Sequence, residues 1–321
     1  MSDLDTGRVR IRLACTDGQV SAVQVSSERP QVTQILRGRT GEQAARMISL
    51  MFALCGQAQT RAVVLALSAA CGEECTPMID LEVQREALRE HLWRCLLDLP
   101  LLLGEAALQQ DFILGVKAIA EGRRDELQTL LNQPNVHSLR MHLCQLDDAH
   151  VSPPRSLPSL YARDSLLEWP RLTPEFCDQP VWRGAAAETG AFARNKGADV
   201  PTAAFCSARW LARFDELSAW AAGRNGIGCV GTVSAVPVAS AVGRALVETA
   251  RGLLMHEVVL DGEFVTDYLI VAPTEWNFHP QGVLQDRLLG ADARDRDALR
   301  QQVARLVTTL DPCVPWELQW A

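Results

Sequence analysis

The chain has 321 residues and a mass of 35.2 kDa, enough to bury a sizeable core as one large domain or two intimately packed ones. Its 39 acidic against 31 basic side chains give a formal charge of −8, which argues against a nucleic-acid surface, where concentrated Lys and Arg are needed. Residues 1–5 are acidic without an apolar stretch, and the longest apolar runs (96–103 and 230–242) are too short for a membrane span.

A cytoplasmic protein with neither secretory signal nor membrane span is therefore expected. Ten cysteines in such a chain do not read as a disulfide framework. Cys15, Cys95, Cys144, Cys206 and Cys229 are expected as buried free thiols.

From the N-terminus, residues 8–25 alternate as two strands, with Val9, Ile11 and Leu13, a turn at Asp17-Gly18, then Val20, Val23 and Val25. Thr40, with Gln43 three residues on, is a capping-box start for a helix carrying Ala44, Met47, Ile48 and Met51 toward Cys55. Gly56 interrupts it, and an apolar helix resumes over 62–70. A helical tract over 80–132 follows, broken around Leu99-Pro100 and at Gly122, with Leu88, Leu92, Leu96 and Leu99 as its core stripe.

Residues 133–180 are rich in Pro and polar side chains and read as a connector, with a turn at 151–155. Residues 206–222 read as a helix bearing Trp210, Phe214 and Trp220, and the Ala- and Leu-rich stretch 238–256 as another. Residues 256–272 form a second hairpin turning at Asp261-Gly262, and a last helix spans about 292–309. The pattern predicts an α/β fold, mostly helical, with a small N-terminal antiparallel sheet in a single domain over 1–321.

Cys55 and Cys313 stand out because each lacks the neighbouring cysteine of a chelating Cys-x-x-Cys pair. Phe52 and Trp316 occupy those positions. Two thiols from opposite ends of a chain can hold a labile metal fragment but do not close a tetrahedral site, which takes four ligands. Two unrelated thiols are the alternative. Cys71 and Cys75 form the one close pair, either a labile dithiol or an incidental spacing.

His256 and His279 read as local hydrogen-bonding groups. The glycines at 223–231 lack the spacing of a phosphate loop. Arg251 and Thr274, the latter after Pro273, offer a guanidinium and a hydroxyl that can donate to a small anionic ligand such as cyanide. A salt bridge from Arg251 to Glu248 or Asp261, and a simple turn at Pro273-Thr274, are the plainer alternatives.

Three blocks carry a family resemblance: residues 9–55, with Ile35-Leu36-Arg37-Gly38-Arg39; residues 251–280, with Arg251-Gly252-Leu253-Leu254-Met255-His256 and Val271-Ala272-Pro273-Thr274-Glu275-Trp276-Asn277; and Asp311-Pro312-Cys313. In these blocks the chain resembles a shortened nickel-iron hydrogenase large subunit and, within that superfamily, the HupK/HoxV accessory proteins. The resemblance implies a reduced large-subunit fold. It matches Cys55 and Cys313 to two of the four nickel-binding cysteines, with Phe52 and Trp316 replacing the others. Gln59 replaces a histidine, and Gln319 replaces a terminal histidine or arginine. It matches Arg251, Pro273 and Thr274 to the residues beside the iron-bound cyanides.

The implied role is a non-enzymatic scaffold that carries Fe(CN)2CO, without nickel. It would receive the group from a small iron-delivery maturation chaperone and pass it to a hydrogenase large-subunit precursor. A factor that binds the apo large subunit without iron, or a divergent hydrogenase-like enzyme, are the other readings.

Overall fold

The computed structural model describes residues 7–28, 32–52, 54–146, 159–160, 169–195, 205–224, 226 and 228–321. Asp17 and Gly18 both adopt positive φ, 53° and 76°, and close β1 (Arg8–Thr16) onto β2 (Gln19–Glu28). Two such residues give a hairpin turn whose twist matches that of the strands. Val9, Ile11 and Leu13 are fully buried, as the alternation requires.

The sheet gains a third strand that the sequence reading does not contain. β10 (Trp316–Trp320) pairs with β1 in parallel, Val9 opposite Trp316 and Leu13 opposite Trp320. The N-terminal sheet is thus mixed rather than purely antiparallel. The alternation of Trp316, Leu318 and Trp320 was its signal, hidden by its short length after Pro315.

Helices α1 (Gly41–Met51) and α2 (Gly56–Ala70) break at Cys55-Gly56, and Thr40 and Gln43 form the capping box. A strand, β3 (Cys75–Ile79), precedes α3 (Leu81–Trp93), which runs through a π turn (Arg94–Asp98) into α4 (Leu99–Leu102). Pro100 falls in the first turn of α4, where its missing N–H costs nothing, so the break comes at 103–108 and not at the proline.

α5 (Gln109–Ala120), α6 (Arg124–Leu131) and α7 (Pro134–His142) follow. Within the Pro-rich stretch, residues 147–158, including the expected 151–155 turn, and 161–168 lie outside the described residues. A two-residue pair joins β4 (Ser159–Leu160) to β5 (Glu188–Thr189), with α8 (Pro174–Asp178) between them and α9 (Ala191–Arg194) after. The long α10 (Phe205–Ala221) buries Trp210 and Phe214 in a helical core shared with β1, β2 and α13 (Arg296–Leu310).

The stretch expected to be a helix over 238–256 is instead the centre of an antiparallel sheet. Its strands are β6 (Thr232–Ala239), β7 (Val242–Thr249), β8 (Gly252–Asp261) and β9 (Phe264–Val271), in the order β3-β6-β7-β8-β9. Every residue of β7 is buried, so no polar alternation marks it as a strand. Its small residues, Gly243 and Ala245, reflect space rather than helix propensity, because α2 lies directly on this face. A Cβ on Gly243 would sit 2.1 Å from the Ala66 carbonyl oxygen and 2.2 Å from the Ala70 nitrogen. Only glycine lets helix and strand backbones meet this closely. The 256–272 hairpin is present as β8–β9, turning after Asp261.

The chain closes with α11 (Pro273–Asn277), α12 (Val283–Leu288), α13 and β10. None of the ten cysteines is in a disulfide; Cys95 and Cys206 are buried, Cys15 and Cys229 half-buried. Cys144 is exposed, contrary to expectation, because it lies in the turn after α7.

Gly243→Ala is expected to cost about 3 kcal/mol or more, since backbone on both sides must move. Gly262→Ala, at a positive φ of 57° but in open space, should cost only about 1 kcal/mol. Urea denaturation of both variants checks the ordering.

Candidate metal centre

Cys55 stands at the N-terminus of α2, yet its sulfur caps nothing. That task falls to Glu86 on α3, whose carboxylate accepts from Gln57 N at 2.8 Å and Ala58 N at 3.0 Å. A carboxylate here satisfies open N–H groups and the positive helix end together. Burial, and next the nearby Cys313, push the Cys55 thiol up to about 12.

One turn into α2, the Gln59 amide donates from Nε2 to Cys55 Sγ at 3.7 Å. Gln59 Oε1 lies 2.9 Å from His256 Nε2, and His256 Nδ1 lies 2.6 Å from the Tyr268 hydroxyl. Gln59, His256 and Tyr268 are all buried. Burial lowers the His256 pKa to about 3 and raises that of Tyr268 well above its usual value, so both stay neutral near pH 7.

Cys313 is delivered from the other end of the chain. α13 ends at Asp311 in the left-handed region, φ 58°, and Pro312 turns the backbone toward β10. The Cys313 N–H donates to Thr274 Oγ1 at 3.3 Å, and that oxygen lies 3.2 Å from Cys313 Sγ. Since Oγ1 accepts from the Cys313 N–H, its own proton is available to the sulfur. Thr274 is the second residue of α11 and is buried; Pro273 opens that helix with a pre-set φ.

Arg251 connects the two halves. Its Nη2 donates to Glu90 on α3 at 3.0 Å, and its Nε lies 3.4 Å from Asp311. Nε is buried without a hydrogen-bond partner, and no hydrogen bond from Nη1 is found among the described residues. The expected pairing with Glu248 or Asp261 does not occur, because Glu248 is held by Arg194 at 2.8 Å. Burial works against the Arg251 charge, but Asp311, Glu90 and the thiols of Cys313 and Cys55 outweigh it and raise its pKa. Burial likewise opposes ionisation of Asp311, yet Arg251, Arg94 and Arg213 hold its carboxyl below the usual range.

The fold therefore gathers Cys55, Cys313, Arg251, Pro273 and Thr274 from four separate elements. Among the described residues, no three or more His, Cys, Asp or Glu side chains are grouped to hold a metal ion. Phe52 packs with the α1–α2 core, whereas Trp316 packs with the helical core, so the two aromatic replacements belong to different apolar clusters. Cys71 is exposed at the end of α2, and Cys75 starts β3. His279 accepts from Gln281 N at 3.1 Å, a local role as expected.

The residues the sequence reading missed are Glu86 and the pair His256–Tyr268. Turning β8 into β9 at Asp261 puts Val258 opposite Tyr268, which leaves His256 its diagonal neighbour, so the hairpin register carried that signal.

The nickel-dependent hydrogenase family matches residues 204–315, which contain Arg251, Pro273, Thr274 and Cys313. The hydrogenase expression/formation protein HoxV of Cupriavidus necator is 31% identical, over 98% of this chain and 96% of its own. The chain belongs to the HoxV/HupK family of hydrogenase expression/formation proteins. HupK of Rhizobium leguminosarum bv. viciae is 28% identical over 98% of this chain and 97% of its own.

Among solved structures, the nickel-iron-selenium hydrogenase of Desulfomicrobium baculatum in a reduced, active form aligns with a TM-score of 0.55 and 15% identity. That alignment covers 94% of this chain and 95% of the other. At that identity the likeness establishes the hydrogenase large-subunit fold and nothing about activity. Membership in the HoxV/HupK family identifies the chain with hydrogenase formation, and no helix among the described residues is long and apolar enough to cross a membrane.

The buried imidazole gives a pH signature. His256 binds a proton in the unfolded chain below about 6.5 but resists it when folded until about pH 3. Stability is thus expected to fall as pH drops through that window, by about 2 kcal/mol at pH 5 from this group alone. Denaturant titrations at pH 7 and 5 should show the drop, and a His256→Gln variant should lose that part of the slope.

Proposed function

We propose that this chain is a non-enzymatic assembly scaffold for nickel-iron hydrogenase that transiently carries an Fe(CN)2CO group. A small iron-delivery chaperone supplies the group, and a hydrogenase large-subunit precursor in the cytoplasm receives it. The supporting observation is that Cys55 and Cys313, from opposite ends of the chain, share the field of Arg251, while Thr274 is hydrogen-bonded to the second sulfur.

Two thiolates suit a soft, low-valent metal, and two alone leave most of its coordination to ligands the cargo brings with it. The uncommitted Nη1 of Arg251 is the donor suited to a cyanide nitrogen. Nη2 is hydrogen-bonded to Glu90 and Nε lies in the field of Asp311, so the guanidinium is oriented before the cargo arrives. Phe52 and Trp316 supply no sulfur where a nickel site would need it, which favours carriage of iron without nickel. Binding to Cys55 would displace its thiol proton, so uptake of the group is coupled to proton release.

Infrared spectroscopy of protein purified without oxygen from its native host tests this reading. Cyanide and carbonyl stretches are expected in the wild type and should vanish in Cys55→Ala and in Cys313→Ala. Unchanged bands in both single variants, or none in the wild type, would sink the carrier role and favour a factor that only binds the apo large subunit.

Arg251→Ala would strand the buried carboxylate of Glu90, so Arg251→Lys is the cleaner probe. It keeps the charge but loses the fork. We expect it to retain the iron group about 10–100-fold less tightly, read as band intensity after dilution.

A further inference from the structure

Beyond the two sulfurs, the buried chain of Tyr268, His256 and Gln59 ends on one of them. Each link is a side-chain hydrogen bond between neutral groups: 2.6 Å from Tyr268 to His256, 2.9 Å from His256 to Gln59, and 3.7 Å from Gln59 to the Cys55 sulfur. Such a chain has two self-consistent directions. In one, the tyrosine O–H donates to His256 Nδ1, the Nε2–H donates to Gln59 Oε1, and the amide N–H donates to sulfur. In the other, every donor reverses, the amide flips, and the sulfur must donate its proton to Gln59.

The tyrosine end decides between them. Among the described residues the Tyr268 hydroxyl has no partner other than His256. In the reversed chain its oxygen would accept from His256 and its own buried O–H would point at nothing. An unpaired buried donor is disfavoured by enough to set the direction.

We propose that Tyr268, His256 and Gln59 are positioning residues that form a one-way donor chain onto Cys55. The chain keeps that sulfur a hydrogen-bond acceptor and draws electron density from it when it binds the cargo. This rests on the carrier reading for its consequence but not for its direction. Its chemistry differs from that at Cys313, where a hydroxyl fixed by the backbone N–H makes the contact. The two sulfurs thus meet different groups: an amide backed by a buried imidazole and phenol at one, an alcohol at the other. Conjugation of the imidazole lets a change at Tyr268 reach the sulfur through two intervening groups.

Two measurements test this. In 15N-labelled protein without iron, the His256 ring should carry its proton on Nε2 and none on Nδ1, unchanged from pH 8 to pH 5. A proton on Nδ1 would reverse the chain and overturn the proposal. In iron-loaded protein, Gln59→Met should make Cys55 a stronger donor to iron and move the carbonyl stretch to lower wavenumber. Tyr268→Phe, two groups removed and mild in shape, should move it the same way by less.

A merely structural role would leave the carbonyl position of Tyr268→Phe unchanged. Unchanged bands in both variants, with the group still bound, would overturn the proposal. The tautomer measurement needs no iron. A wild type without cyanide or carbonyl bands would therefore sink the carrier reading, while the direction of the chain is still decided by the ring.

Discussion

The guanidinium of Arg251 sits at the tight connection between β7 and β8, where it meets a carboxylate from α3 and another from the end of α13. Three parts of the chain far apart in sequence are pinned by one planar cation. Asp311 is also held by Arg94 at 2.7 Å, so the left-handed end of α13 is fixed from two sides. Cys313 follows two residues later, and its placement is inherited from these ion pairs. Losing Arg251 leaves the buried carboxylate of Glu90 without its partner, an arrangement far more costly than breaking an exposed pair would be.

Much of this was legible beforehand because its signals are local. The Asp17-Gly18 and Asp261-Gly262 turns, the Thr40–Gln43 capping box and the helical stripe of Leu88, Leu92, Leu96 and Leu99 each depend on residues a few positions apart. What failed was the centre of the large sheet. β7 is covered on both faces, so the period-two signal of a strand is absent. Its alanines and glycine answer to the backbone of α2, a neighbour about 180 residues earlier that no local window sees. β10 escaped for the opposite reason: its alternation is clear but only five residues long.

The candidate site shows the same division. Cys55, Cys313, Arg251, Pro273 and Thr274 were named from the sequence, and the fold brings them together. The partners of Arg251 were not, because Glu90 and Asp311 lie 161 and 60 positions away, while the nearer Glu248 is already taken by Arg194. Gln59 was legible only as a substituted histidine. The fold gives it an imidazole after all, from β8, so a histidine still bears on the sulfur through one intervening amide.

The parallel pairing of β10 with β1 has a consequence in time. Val9 and Trp316 are among the first and last residues of the sheet to be synthesised, yet they are partners across one ladder. At ordinary translation rates the interval between them is roughly 15–60 s. Throughout that interval β1 has only β2 beside it, and Cys55 waits without Cys313. The two-thiol arrangement therefore cannot form on a growing chain. A half-made copy offers one thiol and no pinned Asp311, so the pairing of the two sulfurs waits until synthesis has reached β10.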